Sequence, residues 1–238
     1  MKAMILAGGL GTRLRPITKT MPKCMVQVHK KPLLEYIIWW MSSYGIGDII
    51  INLSILCFPQ VVMDYFEDGR DFGVKISYSI ESEILGTAGG VKKVESFFNN
   101  EPFLVWYGDH LSTINLRYLT LTHQVKGGIG TLAIYQRDNV TESGIVDLDK
   151  NSLITAFKEK PKEDEVFSHW ANAAIFVLEP EIFKYIPTNT YYDFSYNVFP
   201  ALVNRNLYAY KMKPNELFWW IDSEKDLKYT EKTFNDII

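Results

Sequence analysis

Three short apolar runs constrain this chain more than any other feature: Lys2–Ala7 (KAMILA), Asp48–Leu53 (DIIINL) and Pro102–Tyr107 (PFLVWY). Runs of this length that stop at Gly, Asp or Pro read as strands covered on both faces, the habit of parallel sheets. Helical patterns lie between them. Pro32–Tyr44 carries Leu33, Leu34, Ile37, Ile38 and Met41 at helical spacing and stops at Gly45-Ile46-Gly47. Pro59 opens a helix through Phe66, Val74–Ser79 alternates like a strand, and Gly86–Phe98 reads as a glycine-led helix. Strand, helix, strand, helix, strand predicts an α/β core with a largely parallel sheet and right-handed crossovers. Ligands of such sheets lie beyond the carboxyl ends of the strands, and the loops after Ala7 and after Tyr107 both leave such ends.

After about residue 125 the rhythm shifts to shorter strands, at Thr131–Gln136, Ser143–Leu148, Leu153–Lys158 and Ala173–Leu178. Helical patterns return at Pro180–Tyr185 and Tyr196–Asn204, a strand at Leu207–Met212, and a capped closing helix at Ser223–Phe234. No repeat, low-complexity tract or flexible linker interrupts them. A chain of 238 residues, 47% apolar and 22% charged, can bury a substantial core, and a single domain is expected. The net charge of -3, with Lys and Arg spread along the chain, excludes a nucleic-acid or anionic-membrane surface, so any anion site must be local. No run approaches the ~18 residues of a membrane span, and the first apolar run is too short for a signal-peptide core, so a cytoplasmic protein is expected. Cys24 and Cys57 fit free buried thiols in a reducing compartment. His29, His110, His123 and His169 lack metal-ligand spacing, although His110, beside Asp109, is positioned to line a site. Trp39, Trp40 and Trp106 read as core; Trp219 and Trp220 could serve either core or site.

The loop after the first strand has the strongest chemical character. Gly8, Gly9 and Gly11 permit positive φ and turn amide groups toward a ligand, while Arg13, Arg15 and Lys23 follow with positive charge. Polyphosphate is the natural guest of such a nest. The spacing is neither that of a Walker loop nor GxGxxG, because Arg13 follows only one residue after Gly11, and a tight turn would use the same glycines.

The whole segment Leu6–Lys23 (LAGGLGTRLRPITKTMPK) resembles, almost position by position, the signature of the sugar-1-phosphate nucleotidylyltransferases. The likeness continues through Gln27–Leu34, Leu85–Gly90 (LGTAGG), Gly108-Asp109, Phe157–Pro161 (FKEKP) and Trp219–Asp222 (WWID), and so spans nearly the whole chain. It implies a Rossmann-like three-layer α/β/α sandwich with a mixed, mostly parallel central sheet and a smaller sugar-binding β-rich lid in the second half. It divides the single domain 1–238 into a nucleotide-binding half, 1–125, and a sugar-phosphate-binding half, 126–238. The β-helix domain that some relatives append is not expected.

The activity implied is the joining of a nucleoside triphosphate to a sugar 1-phosphate, with Mg²⁺, to give a nucleotide-sugar and pyrophosphate for glycan or cell-surface synthesis. LGTAG looks most like the mannose-1-phosphate guanylyltransferases, with heptose-1-phosphate guanylyltransferases and some uridylyltransferases also similar. Nucleotide contacts are then implied at Leu6, Ala7, Gly8, Gly9, Gly11, Thr12, Arg13, Glu81, Leu85, Gly86 and Thr87. Arg13 would hold the β- and γ-phosphates and Lys23 the α-phosphate and the incoming phosphate, with the role of Arg15 left open. Asp109 follows a strand and matches one metal aspartate; Asp222 matches a second, unless it or Ser223 caps the last helix. Glu81 can only accept hydrogen bonds, which suits the N1–H and amino group of guanine.

Gly144, Glu159, Lys160 and Asn172 match sugar-phosphate contacts, with Pro161 expected to keep Lys160 extended. Relatives usually have Tyr-Gly where this chain has Ser143-Gly144, Gly where it has Ala174, and Gly-Thr or Gly-Val where Ser223-Glu224 follow Asp222. The expected partners are the two small-molecule substrates, with homodimerisation allowed. Three alternatives stand beside this reading: a uridylyltransferase for an amino-sugar 1-phosphate, a cytidylyltransferase for a small non-sugar phosphate, and a catalytically silent nucleotide-sugar sensor. The intact Glu159-Lys160-Pro161 argues against the second, and Arg13, Lys23 and Asp109 against the third.

Overall fold

A computed structural model of the chain describes residues 1–234. It comprises two compact units. One contains Lys2–Ile84, Trp106–Thr113 and the chain from Leu217; the other contains Leu85–Val105 and Ile114–Glu216.

The first unit is built on parallel strands Lys2–Leu6, Asp48–Ser54 and Lys75–Glu81, with the continuous β-branched run in the middle, where both edges are paired. That run is buried from Ile49 to Ser54, as its lack of alternation demands. Register sets Leu6 opposite Asn52 and Ser54 opposite Glu81, so three strands deliver their carboxyl ends together. Helix Leu33–Ser43 buries Leu33, Leu34, Ile37, Ile38 and Met41, the stripe read from the sequence, and ends where Gly45 adopts φ +76. Helix Pro59–Phe66 starts at its proline. Two pairings are too short to register as periodicity: Gln27–Val28 with Lys31–Pro32, and His110–Ser112 with Phe218–Trp220, both antiparallel.

The second unit is mainly antiparallel. Ile154–Glu159 pairs Gly144–Leu148, which meets Trp170–Leu178, which pairs Gly130–Gln136; Leu207–Lys211 joins the last of these in parallel. Aromatic rings fill it: Phe98 stacks on Phe103 at 3.9 Å, Phe103 on Phe183 at 5.4 Å, and Phe176 packs edge-on to Phe194 and Phe199.

The α/β expectation holds, and three helical segments depart from it in detail. Gly86–Phe98 splits at Val94 into helix Gly86–Lys93 and a tight turn Glu95–Phe98. The pattern at Tyr196–Asn204 is a π-turn, Phe194–Val198, running into helix Phe199–Leu202. Pro200 is the physical reason, because it has no N–H and its ring displaces an earlier carbonyl, so the turn widens before it. Helix Leu116–Lys126 was not legible: its buried stripe is Leu116, Leu119 and His123, and the histidine interrupts the apolar signal. Its caps were readable, with Asn115 accepting from Tyr118 N and Gly127 at φ +62.

Candidate active site

The glycine loop grows out of the first strand, where Ala7 N donates to Asn52 O at 3.0 Å. Positive φ is needed at only one of its glycines, Gly11 at +57, so the expected freedom is used there and not at Gly8 or Gly9. A Cβ on Gly11 would lie 3.1 Å from both Lys23 Cβ and Thr18 Cγ2. The bare backbone therefore lets the loop close on the Lys23 stem, and Thr18 Oγ1 fastens it by donating to Gly11 O at 2.6 Å. The tight turn Thr12–Leu14 buries Leu14 and leaves Thr12 and Arg13 exposed.

The charged residues converge here. Lys23 is 8% exposed, and its ammonium donates to Asp109 Oδ2 at 2.6 Å and Asp222 Oδ1 at 2.7 Å. Arg13 Nη1 lies 2.5 Å from the other Asp222 oxygen, its guanidinium 5.8 Å from the Trp220 ring centroid. His110 Nδ1 lies 2.6 Å from Asp109 Oδ1, and its ring neighbours Phe218 at 5.2 Å and Trp220 at 6.4 Å. Arg15 is exposed and stands outside the cluster.

Local structure explains the convergence. Gly108 N donates to Leu6 O at 2.9 Å, which sets Asp109 beside the glycine loop, and Ile221 N donates to Asp109 O at 3.2 Å, which brings Asp222 alongside. Ser223 caps helix Glu224–Thr233 in a reciprocal box with Asp226, so the Asp222 side chain is not consumed in capping. Burial alone would raise the Asp109 pKa, but the charges of His110 and Lys23 and their hydrogen bonds hold it well below the carboxylate range. Burial would lower that of Lys23, and the two aspartates outweigh it and raise it.

The sequence marks Glu81 as a site residue and gives no sign of its partner, Asn52. Both are buried, and Asn52 Nδ2 donates to Glu81 Oε1 at 2.8 Å. A Cβ on Gly8 would lie 3.0 Å from Asn52 Oδ1, so that glycine makes room for the side chain that holds Glu81. Cys57 and Cys24 are buried free thiols, and burial pushes Cys24 up to about 12. Trp106 and Trp219 are buried and Trp39, Trp40 and Trp220 half-buried.

In the second unit, Gly144 lies directly opposite Glu159, and Ile145 opposite Ala171. By strand alternation Asn172 therefore shares the face of Gly144 and Glu159. A Cβ at position 144 would lie 2.6 Å from Glu159 Oε2, so glycine there is a condition of that carboxylate's position. Burial, with Asp193 adding to it, pushes Glu159 up to about 7 against the opposing effects of Lys160 and Ser195. Lys160 is not extended as Pro161 led us to expect: its φ is +45. Its amide donates to Ser143 O at 3.0 Å and turns the chain out of the strand, while the proline excludes the right-handed helical alternative. Ala174, where relatives usually carry Gly, also has positive φ, +54, with its amide donating to Asn172 Oδ1 at 3.0 Å.

The Leu85–Gly90 loop is docked on Tyr192-Asp193, a pair that the sequence reading missed. Tyr192 N donates to Leu85 O at 2.8 Å, and Tyr192 O accepts from Ala88 N and Gly89 N at 3.0 Å each. Gly86 has φ +73, and a Cβ there would lie 2.5 Å from Tyr192 O. Thr87 Oγ1 donates to Asp193 Oδ2 at 2.8 Å and accepts from Phe194 N at 2.9 Å. Asp193 Oδ1 accepts from Ser195 N and Tyr196 N, a capping pattern that an Asp ahead of a helical run can signal.

Asp109 and Asp222 are hard oxygen donors, converging on one cationic atom, and so fit a magnesium ion. No group of three or more His, Cys, Asp or Glu among the described residues forms a metal cage. Two carboxylates, an ammonium, a guanidinium and a glycine loop together can align and neutralise a polyphosphate.

Comparison with known proteins agrees with this chemistry. The sequence model described as Nucleotidyl transferase matches residues 2–223. A UTP–glucose-1-phosphate uridylyltransferase of Synechocystis sp. is 39% identical over 94% of this chain and 60% of its own length. A D-glycero-alpha-D-manno-heptose 1-phosphate guanylyltransferase of Campylobacter jejuni is 36% identical over 77% of this chain and 78% of its own length. The chain thus spans about three fifths of the length of the first of these. A solved Bacillus anthracis structure described as a glucose-1-phosphate thymidylyltransferase superposes with TM-score 0.89 at 23% identity, covering 100% of this chain and 96% of that one.

Proposed function

The chain belongs to the nucleotidyl transferase family, and from that premise we propose that it joins GTP to a sugar 1-phosphate of mannose or heptose type, releasing pyrophosphate. The observation that carries the proposal is the meeting of Arg13, Lys23, Asp109 and Asp222 beside the glycine loop. A phosphate oxygen of the sugar 1-phosphate attacks the α-phosphorus in line; the new O–P bond forms as the bond to the bridging α,β-oxygen breaks, and the electron pair leaves with pyrophosphate. No general base is needed, because a phosphate monoester with a second pKa of about 6 is largely a dianion at neutral pH.

Leu6, Ala7, Gly8, Gly9, Gly11 and Thr12 cradle the triphosphate, and Arg13 neutralises the departing pyrophosphate. Lys23 bridges the α-phosphate and the incoming phosphate. Asp109 and Asp222 would hold magnesium, which would neutralise and orient phosphate oxygens. Glu81, steadied by Asn52, accepts from the guanine N1–H and 2-amino groups, with Leu85, Gly86 and Thr87 along the base edge. Uracil has only one such donor, flanked by carbonyls that a carboxylate repels. Gly144, Glu159, Lys160 and Asn172 receive the sugar phosphate.

The two buried free thiols support a reducing compartment, the cytoplasm, for the reaction, and a nucleotide-sugar product would serve glycan or cell-surface synthesis; no helix among the described residues is long and apolar enough to cross a membrane. The Synechocystis relative favours a second reading, uridylyl transfer to a sugar 1-phosphate. Incubation with each nucleoside triphosphate across a panel of phosphates, following pyrophosphate, separates the two. Turnover with GTP and a manno-configured 1-phosphate is expected; turnover with UTP alone overturns the guanylyl reading.

A further inference from the structure

Lys23 lies where a metal between Asp109 and Asp222 would compete with it, which raises the question of how the ion enters. The ammonium takes one oxygen from each aspartate, at 2.6 Å and 2.7 Å, and Arg13 takes the second oxygen of Asp222 at 2.5 Å. Lys23 and Arg13 already balance the two carboxylates, His110 Nδ1 stands 2.6 Å from the remaining Asp109 oxygen, and Lys23 and Asp222 are both buried. A divalent ion added to the same oxygens would meet an ammonium at close range with little solvent between them, and the doubled charge doubles the repulsion. The cluster must give up its internal cations before it can take the ion.

We propose that the Asp109–Asp222 pair admits a divalent metal only together with a nucleoside triphosphate, with Lys23 serving as an internal counter-cation that the phosphates draw away. The inference rests on the nucleotide reading of this site. A triphosphate carries enough negative charge to take both Lys23 and Arg13 onto its oxygens, and each aspartate is then released to the ion that arrives with it. Arg13 can make the shift readily because its side chain is 53% exposed, and Lys23 because its ammonium is carried on a flexible four-carbon stem. The ligand that enters is therefore the metal–triphosphate complex, and metal alone is refused. The arrangement also keeps two carboxylates from repelling one another while the site waits.

Mn²⁺ titration monitored by electron paramagnetic resonance tests this, using the full chain with and without the α,β-methylene analogue of GTP. Wild type is expected to bind Mn²⁺ at least about tenfold more tightly with the analogue. Lys23→Met without nucleotide is expected to bind Mn²⁺ at least about tenfold more tightly than wild type, and Asp109→Asn added to it to remove the gain. Equal Mn²⁺ affinity of wild type with and without the analogue, or no gain in Lys23→Met, overturns the proposal. The Mn²⁺ that free analogue holds is subtracted from a protein-free titration, and Lys23→Gln supplies the metal-only comparison if Lys23→Met does not fold. Failure of every nucleoside triphosphate to bind by calorimetry overturns the function reading instead, and the metal-only comparison of wild type with Lys23→Met then judges the counter-cation by itself.

Discussion

Asp109 lies 2.6 Å from a buried ammonium and stays ionised well into acid, whereas Glu159, half-buried and influenced by Asp193, is pushed up to about 7. Burial raises both; what differs is the company. In the first unit His110, Lys23 and Arg13 approach within hydrogen-bond distance of the carboxylates, and in the second Lys160 does not offset burial. The difference teaches what each carboxylate is fit for. Asp109, held ionised by its neighbours and set beside Asp222 across Lys23, is suited to a metal and to phosphate-bound cations. Glu159 changes from acceptor to donor near neutrality, which suits hydroxyl groups of a sugar.

The comparison is most easily broken at Lys23. Lys23→Ala should cost at least about 10³-fold in kcat/KM, of the order of 4 kcal/mol, and Asp109→Asn should do nearly the same, as expected when charge stabilisation at the transferring phosphoryl group is removed. An equal loss in Glu159→Gln would erase the distinction between the units; that variant should instead raise the KM for the sugar phosphate by about tenfold and spare the KM for GTP.

Next comes Gly86→Ala. Its new methyl would lie 2.5 Å from Tyr192 O in a left-handed backbone, so chemical denaturation should show a loss of about 2 to 4 kcal/mol. The same change at Gly9, where nothing lies within 4 Å, should alter stability by no more than about 0.5 kcal/mol.

The pH dependence sharpens the comparison because the two carboxylates have opposite signs. A Glu159 pKa raised from 4.5 to about 7 means that the folded chain binds more protons in that interval. Its contribution to stability is complete below about pH 4.5 and is lost as pH rises toward 7, at a slope of at most about 1.4 kcal/mol per unit. The lowered pKa of Asp109 gives stability present above its unfolded value of 3.8 and lost as pH falls below it. Denaturant titrations of Glu159→Gln from pH 4.5 to 8 should lack the first slope and keep the acid limb.

The smallest effect is expected at Ala174→Gly. Alanine at φ +54 bears left-handed strain that glycine does not, so the variant should gain up to about 1 kcal/mol, read as a rise in thermal midpoint. An unchanged or lower midpoint would mean that the bulge at Asn172 tolerates the methyl group without cost.

The same contrast marks how far the sequence could be read. The first unit was legible because Lys2–Ala7 and Asp48–Leu53 are unbroken apolar runs, its third strand alternates, and its two cations sit in one long signature from Leu6 to Lys23. Asp222 remained ambiguous until Ser223 and Asp226 were seen to cap the last helix without it. Asn52 was missed because an Asn inside an apolar strand gives no sign of its partner, and Glu81 lies 29 residues away. In the second unit, the strand bounds were nearly right, but Lys160 takes a positive φ fixed by its bond to Ser143, seventeen residues earlier, and Ala174 one fixed by the Asn172 side chain at a bulge that alternation does not signal. Asp193 and Tyr192 escaped notice for the same reason: they act on Thr87, Leu85 and Gly86, about a hundred residues earlier.

The most direct test of the central claim is the reverse reaction. Purified protein given GDP-mannose, labelled pyrophosphate and Mg²⁺ should form labelled GTP and mannose 1-phosphate, with formation abolished by Lys23→Ala. Folded wild-type protein that forms no labelled nucleoside triphosphate from any nucleotide-sugar would contradict the claim that these four charged residues serve nucleotidyl transfer.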